Sequence, residues 1–356
     1  MRDDYLWDGS GTPDPEIQKL EGLLEKYRLT PRPPAFRAIA AATEGLPWWR
    51  LQRVVLWVQL AAALMAVLVI AAGYLWLRPK PAVTVEPGWD VTRLAGAPRL
   101  GMKTVGANEW ASKLRIGQIL ETDSQSRARI GIDKIGQLDV EPDTRVRVLK
   151  SGSELNRVAL DRGTIRATIW APPGQFVVDT ASALAVDLGC IYTLHVDDSG
   201  AGLLQTTLGW VGFKLGGHES FIPAGAACPT RPKTGPGTPY FEDAPASLRQ
   251  ALSRFDFDAG SSQEREVQLD LVLTHSRRRD ALSLWHLLAR VEESERSRVY
   301  DRLRELVPPP PGVTREGIQK LDPKMLDLWW DQLGLGDISL WRHWERSWSQ
   351  SQGGAH

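Results

Sequence analysis

Residues 127–148 read RARIGIDKIGQLDVEPDTRVRV, and this stretch decides the fold. Apolar residues in it alternate with polar or small ones, a period that places every second side chain on the same face of a β-strand. The alternating apolar positions are Ala128, Ile130, Ile132, Leu138, Val140, Val146 and Val148. Gly, Pro and Asp residues between the groups predict tight turns. The stretch therefore predicts three short strands, each with one buried face.

The same pattern recurs through residues 82–240. Turn sequences such as Asp197–Gly200 (DDSG) and Leu215–His218 (LGGH) separate further alternating runs. These runs lie at residues 158–160, 165–169, 176–178, 184–188, 191–196, 203–213 and 221–222. A dense series of short strands predicts an all-β domain, either a sandwich or a coiled, solenoid-like stack.

A Pro- and Gly-rich passage, Cys228–Pro239 (CPTRPKTGPGTP), separates the β region from a helical C-terminal part at residues 244–345. Apolar residues in that part recur at helical spacing. They fall into four groups: Leu248, Leu252 and Phe255; Leu284, Leu287, Leu288 and Val291; Val299, Leu303 and Leu306; and Leu326, Trp329, Trp330 and Leu333. Short consecutive helices of this kind stack as a small α-solenoid.

Residues Val54–Leu77 read VVLWVQLAAALMAVLVIAAGYLWL and carry no charge. As a helix they reach roughly 36 Å, enough to cross a hydrocarbon core of about 30 Å. Aromatic residues that suit the membrane interfaces lie at both ends, namely Trp48, Trp49, Tyr74 and Trp76. We therefore expect one transmembrane helix; the alternatives are a buried helix of a soluble domain and a cleaved signal peptide. Charge does not orient the span, since each end has two basic residues: Arg50 and Arg53, and Arg78 and Lys80.

Residues 1–46 predict a short helical segment. Asp14 suits the cap of a helix that begins at Pro15. Apolar residues follow on one face of that helix, at Ile17, Leu20, Leu24 and Tyr27. A second short helix is expected at Ala35–Thr43. Two such helices bury little surface alone and need a partner; the alternative is a partly ordered tail.

Several motifs follow one another through the β region in a fixed order. The first are Gly117, Leu120, Thr122 and residues 126–130, then Gly136, Leu138, Val140, Pro142, Thr144 and Val146, then Leu160, Gly163 and Ile165. The last are Thr180–Ala183, Asp187–Leu194, Leu208–Val211 and Pro223–Gly225. In this order they resemble the FecR family over residues 114–227. The positions that carry the resemblance best are Gly189, Cys190, Tyr192, Gly209, Val211 and Gly225.

The chain departs from the FecR pattern at three positions. Cys190 and Tyr192 stand where the family has Thr and Phe, and Ala181 stands where it has Pro. The resemblance implies a membrane-anchored sensor and anti-sigma regulator of the bacterial inner membrane. It places the N-terminus in the cytoplasm and the residues after about 80 in the periplasm. The fold expected from the whole sequence is multi-domain, with a single transmembrane helix, an all-β FecR-like domain and an α-helical C-terminal part.

Charge and cysteine content limit which binding partners are expected. The 43 basic and 43 acidic residues balance, so nucleic-acid binding is not expected. Cys190 and Cys228 have no zinc-site spacing, and no cysteine precedes Cys190, so the zinc signature of some anti-sigma domains is absent. The two cysteines either form one disulfide or are two buried thiols, because spacing alone does not bring the sulfur atoms together.

Catalytic motifs do not stand out, and neither an enzyme activity, a cofactor nor a metal site is expected. The six histidines are scattered, and a structural role suits His195 and His286 better than catalysis. The acidic residues Asp139, Glu141 and Asp143 alternate along a strand, which favours a solvated face over a cation site.

The sequence therefore predicts a regulator. Its β domain would sense a partner or envelope signal, such as an unknown periplasmic protein or ligand. Its residues 1–46 would control a cytoplasmic partner, an extracytoplasmic-function sigma factor. The alternative is an envelope scaffold without signalling, which the Trp-rich stretch Trp329–Trp348 favours, since tryptophan is enriched at binding surfaces. A hydrolase is a distant third reading.

Overall fold

The computed structural model describes residues 15–25, 65, 88–106, 112–258 and 260–353. The chain divides into two units, Met1–Val83 and Thr84–His356. In the first unit, helix α1 spans Pro15–Leu24, and it begins where the sequence places the first position of a helix. The second unit contains all the strands and the other helices of the described ranges.

The predicted transmembrane helix requires a correction. No helix within the described ranges combines the length and the apolar character that a membrane span needs. The longest of them, Ile338–Gly353, has 16 residues, whereas a span takes about 20. The expectation of a single-pass protein of the bacterial inner membrane, with a cytoplasmic N-terminus and a periplasmic remainder, is therefore not supported.

Much of the predicted membrane segment lies outside the described residues. Within Val54–Leu77 the structure describes Met65 alone, which is helical and exposed. The expected second N-terminal helix at Ala35–Thr43 also lies outside the described residues, as do the four expected anchors Trp48, Trp49, Tyr74 and Trp76.

Eighteen strands form the first part of the second unit, counted over the described residues. They are β1 (Trp89–Ala95), β2 (Arg99–Leu100), β3 (Lys103–Thr104), β4 (Ser112–Leu114), β5 (Ile119–Glu121), β6 (Arg127–Ile132), β7 (Gly136–Val140), β8 (Arg145–Lys150), β9 (Asn156–Ile169), β10 (Phe176–Asp179), β11 (Leu184–Asp187), β12 (Ile191–Val196), β13 (Gly202–Leu208), β14 (Trp210–Leu215), β15 (His218–Pro223), β16 (Ala226–Arg231), β17 (Gly235–Pro236) and β18 (Tyr240–Phe241).

The strands form two sheets that share β9. Sheet A has the order β4-β1-β6-β7-β9-β12-β13-β16, with β17 and β18 paired to β16. Sheet B has the order β3-β2-β5-β8-β9-β10-β11-β14-β15. Neighbouring strands are antiparallel except β9 and β10, which are parallel. The prediction of a mostly β region followed by helices is confirmed.

The chain passes from sheet B to sheet A by a bend within the long strand β9. The first half of β9 pairs with β8 and β10 in sheet B, and its second half pairs with β7 and β12 in sheet A. The bend lies at Gly163, whose φ is +91°, and a Cβ atom there would lie 2.3 Å from Oγ1 of Thr144. Only glycine fits such a bend. The bend in β9 and the later connections between strands build two facing sheets. This arrangement has features of both a sandwich and a coiled stack.

The inner faces of the two sheets form the core. All seven alternating positions of the opening stretch are at most 1% exposed, namely Ala128, Ile130, Ile132, Leu138, Val140, Val146 and Val148. The prediction of three strands with one buried face each is confirmed. Alternation determines this result because one face of each strand turns toward the opposite sheet and the other toward solvent.

Seven α-helices follow the strands in the described residues, together with a π-helical turn at Arg254–Asp258 and a 3₁₀ turn at Arg278–Asp280. The helices are α2 (Ala246–Ser253), α3 (Ser262–His275), α4 (Ala281–Leu288), α5 (Glu293–Leu306), α6 (Arg315–Gln319), α7 (Pro323–Leu333) and α8 (Ile338–Gly353). Capping fixes several ends: the Ser261 hydroxyl accepts the N–H of Glu264 at the start of α3, and Gly334 ends α7 in a left-handed conformation.

Helix α8 lies against the outer face of sheet B through two glycine positions. A Cβ atom on Gly212 of β14 would lie 1.9 Å from the Trp341 ring, and one on Gly174 would lie 1.9 Å from the Trp344 ring. Trp341 is fully buried and Trp344 is 7% exposed. The strands and the helices consequently share one hydrophobic core. Residues 240–244 therefore mark a change of secondary structure within one core.

We predict that Gly212→Ala destabilises the protein by about 1–3 kcal/mol, because the new methyl group overlaps a buried indole ring that has no room to move. Urea unfolding followed by tryptophan fluorescence measures the change. The matched control is Gly217→Ala in the next turn, where a Cβ atom would meet no atom within 4 Å. The account of α8 docking is wrong if both variants unfold at the same urea concentration.

Candidate functional site

The residues that carry the FecR resemblance lie where the chain crosses between the sheets. Gly189 and Cys190 connect β11 to β12, and Gly209 connects β13 to β14. These two crossings touch, since a Cβ atom on Gly209 would lie 2.4 Å from the carbonyl oxygen of Gly189. Gly225 forms the next crossing, and its N–H donates to the carbonyl of Thr206 at 2.7 Å. The structure thus gathers the motif glycines into adjacent corners.

A buried carboxyl group lies directly beside this corner. Asp187, at the end of β11, is 1% exposed and faces the other sheet together with its cross-strand neighbour Val211. Its carboxylate accepts the N–H of Gly189 at 2.7 Å and the thiol of Cys190 at 2.9 Å. Tyr192 is also fully buried, and its hydroxyl has no hydrogen-bond partner in the described part of the chain. Cys190 and Tyr192, two of the three positions that depart from the FecR pattern, therefore place a thiol and a hydroxyl in the core near the Asp187 carboxyl group.

Burial controls the ionisation of this cluster. It raises the pKa of Asp187 to about 7, although the hydrogen bonds from Cys190 and Gly189 oppose the shift. Burial and the neighbouring Asp187 charge also raise the pKa of Cys190 and of Tyr192 well above their ordinary values. The chemistry open to the cluster is the uptake and release of a proton near neutral pH.

Both cysteines are free and buried. The Cys228 thiol, on β16, donates to the carbonyl of Gly237 at 3.2 Å. Burial raises its pKa to about 12, so it stays protonated. Of the two alternatives that the sequence leaves open, the structure has the two buried thiols.

His286 and Arg290 join the helices to the edge of sheet B. The Nε2 atom of His286 accepts the N–H of Phe221 at 2.9 Å, and its Nδ1 atom bonds with the carbonyl of Leu282 at 2.8 Å. One turn later, Arg290 donates to the carbonyl of Glu219 at 2.9 Å. Burial lowers the pKa of His286 to about 3, so the ring is neutral. A histidine bonded at both nitrogens is structural, as the sequence favours for this residue.

Aromatic rings surround Phe221 at the same joint. The rings of Trp210, Trp285, Trp330 and Trp341 lie 5.3–5.9 Å from its centroid. Arg342 of α8 links this region to three acidic side chains, at 3.2 Å from Glu219, 3.3 Å from Asp327 and 3.3 Å from Glu345. The C-terminal tryptophans Trp329, Trp330 and Trp341 are fully buried. They serve the core, so these three residues give no support to the scaffold alternative.

The acidic residues on the outer face of sheet A pair with arginines. Asp139 binds Arg129 at 2.5 Å, and Glu141 binds Arg127 at 2.9 Å. Asp143 has a φ of +55° and belongs to the turn before β8. Within the described ranges, no group of three or more His, Cys, Asp or Glu side chains is placed to hold a metal ion. The strand face is thus a solvated ladder of ion pairs.

Helix α1 presents an apolar face to solvent. Leu20, Leu23 and Leu24 are 58%, 65% and 62% exposed, and no residue of the helix is buried. Ile17 is half-buried on the same face. The opposite face carries Gln18 and Gly22. This is the largest group of exposed leucines in one described element, and a helix with such a face suits docking into the groove of a partner protein.

Sequence reasoning missed three features of the site. The burial of Asp187 was detectable in the sequence, because an acidic residue occupies an inner-face position of the strand predicted at 184–188. Arg290 and Phe221 gave none, because their roles depend on a helix and a strand that are distant in the sequence.

Comparisons with known proteins give little. No family model matches the chain, so the FecR resemblance is not confirmed at that level. No curated protein matches it either. Two solved crystal structures resemble it, at 1.65 Å and 2.50 Å resolution, both of a protein from Parabacteroides distasonis ATCC 8503 described as "a putative anti-sigma factor".

Both likenesses are distant. Each has 14% sequence identity and a TM-score of 0.32, and covers 37% of this chain. The matched part of this chain spans 63% and 62% of the length of those structures. At this TM-score the likeness carries no argument about fold or function.

We predict that Asp187→Asn changes how stability depends on pH. In the folded protein the pKa of Asp187 is about 7, whereas an unfolded Asp titrates near 3.9, so the folded state binds the extra proton between these values. The stability from this proton is fully present below about pH 4 and is lost as the pH rises through 7. The free energy of unfolding of the native chain should therefore fall relative to the variant by up to about 1.4 kcal/mol per pH unit.

Urea unfolding at intervals from pH 4 to pH 8 measures this difference. The control is Asp198→Asn, the same chemical change in an exposed turn. Parallel pH profiles for Asp187→Asn and the native chain would contradict the assignment of a raised pKa to Asp187.

Proposed function

We propose that this chain is a non-enzymatic regulator that controls a protein partner of the sigma-factor class through the apolar face of α1. The single observation that carries the proposal is the exposure of Leu20, Leu23 and Leu24 on one amphipathic helix. The FecR-like order of motifs in the second unit supports the class of protein.

Physical chemistry supports a docking role for α1. A helix of 10 residues is marginal in water on its own, so its stability depends on covering its apolar face. Burying one leucine side chain contributes about 1.5–3 kcal/mol. A partner groove that covers the face would therefore order the helix and gain affinity from the same contacts.

The second unit has the sensing role in this proposal. Its strands and helices share one core, so a ligand or partner bound at its surface acts on a single folded body. Coupling to α1 requires that the two sites bias each other's binding free energy.

We predict that Leu20→Glu with Leu24→Glu weakens binding of an extracytoplasmic-function sigma factor from the same organism by about 100-fold, because charges replace two exposed leucines that the proposed complex would bury. Isothermal titration calorimetry with the full chain measures the affinity. Gln18→Glu, which adds a charge on the opposite face of α1, serves as the control and should bind like the native chain.

Two results would overturn the proposal. One is the absence of binding between the native chain and that sigma factor. The other is equal binding by the double variant and the native chain, which would place the contact away from α1. Circular dichroism and urea unfolding of each variant confirm that the second unit is unchanged.

A further inference from the structure

A cavity of about 470 Å³ opens between strand β18 and the helices of the second unit. This volume is typical of sites for small molecules. Six of its nine lining residues are apolar, namely Phe241, Ala281, Leu282, Val307, Leu333 and Leu335, and the other three are Arg278, Arg279 and Gln332. An apolar surface of this kind favours a ligand part without charge or hydrogen-bonding groups.

The walls of the cavity are held in place by the protein itself. The Trp329 indole N–H donates to the carbonyl of Val307 at 3.2 Å. The Trp330 indole N–H donates to the carbonyl of Gly336 at 2.9 Å, which fixes the turn that carries Leu335. The buried Asp280 carboxylate accepts the N–H of Arg277 at 2.8 Å and holds the 3₁₀ turn. The site is therefore preformed, which lowers the entropy cost of binding.

Two of three consecutive arginines, Arg278 and Arg279, line the cavity, and the three arginines differ in their partners. Arg277 pairs with Asp280 at 2.8 Å. Arg279 pairs with Asp243 at 3.4 Å and lies 4.4 Å above the Phe241 ring. Arg278 lines the cavity and is exposed, and no carboxylate of the described ranges lies within ion-pair distance of it. Arg278 is thus the guanidinium that remains open to an external anion.

A ligand that suits this arrangement has an apolar chain and one anionic end. A guanidinium binds a carboxylate through two parallel N–H···O bonds, a geometry that an alcohol or an amine does not provide. Beside Arg278, the Gln332 amide at the mouth offers a further donor. We infer that this cavity binds a fatty-acid anion, with its carboxylate on Arg278 and its chain among the apolar wall residues. The inference goes beyond the proposed function and does not depend on α1.

The test is a titration of the full chain with octanoate, decanoate and dodecanoate, each below its critical micelle concentration, by isothermal titration calorimetry at pH 8. Each added methylene should tighten binding by about fourfold until the cavity is full, because burying one CH₂ gains about 0.8 kcal/mol. 1-Dodecanol should bind at least about tenfold more weakly than dodecanoate, because it lacks the charge-assisted bond.

The matched variants are Arg278→Gln and Arg166→Gln. Both remove one exposed positive charge, but Arg166 lies on the outer face of sheet A. Arg278→Gln should weaken dodecanoate binding at least about tenfold and leave 1-dodecanol unchanged, and Arg166→Gln should leave both unchanged. The exposed positions keep the fold intact in both variants.

Four results would overturn the inference. They are no saturable binding of any of the three acids, equal affinities for dodecanoate and 1-dodecanol, equal dodecanoate affinities of the two variants, and binding of a leucine-ended peptide carboxylate without binding of the acids. The last result would assign the site to a protein C-terminus instead.

Discussion

The backbone N–H of Phe221, in the edge strand β15 of sheet B, donates to the neutral ring of His286. This bond covers the edge of the sheet and positions the helices against it. An edge strand leaves backbone donors and acceptors that must be covered or paired. His286 of helix α4 and Arg290 in the turn after it both cover β15, since Arg290 donates to the carbonyl of Glu219. The bond requires an unprotonated Nε2 atom, and burial secures it by lowering the pKa of His286 to about 3. The contacts of His286 and Arg290 with β15 therefore set the position of α4 along the sheet.

The later helices extend this first contact into one core. Arg290 also donates to the carbonyl of Pro236 at 2.9 Å, which ties β17 to α4. Helix α8 then returns to the sheet and seats Trp341 against Gly212. The strands and helices are fixed to one another in one core, so both proposals concern surfaces that this core does not cover. In the described residues these places are the cavity beside Arg278 and, in the other unit, the leucine face of α1.

The sequence predicts local features well because they depend on neighbours in the chain. Alternation identifies the strands around residues 127–148, and helical spacing identifies α2, α4, α5 and α7. Helix α3 was missed because only Leu269 and Val272 of it are buried, which leaves almost no apolar pattern. Sequence patterns do not predict features that join distant parts of the chain. Examples are the contact of Gly212 with Trp341, the covering of β15 by His286, and the cavity. The membrane span was inferred from an uncharged apolar run with aromatic residues at both ends, and no described helix supports it.

Hydrogen exchange at the Phe221 amide tests the central claim most directly, because this N–H donates to His286 of α4 and not to β14. At pH 7 it should exchange as slowly as the amides at the centre of sheet A, such as that of Leu194, with an opening free energy equal to that of global unfolding. Exchange at the rate of an exposed edge amide, while Leu194 stays protected, would show that the helices do not close the sheet and would contradict the account.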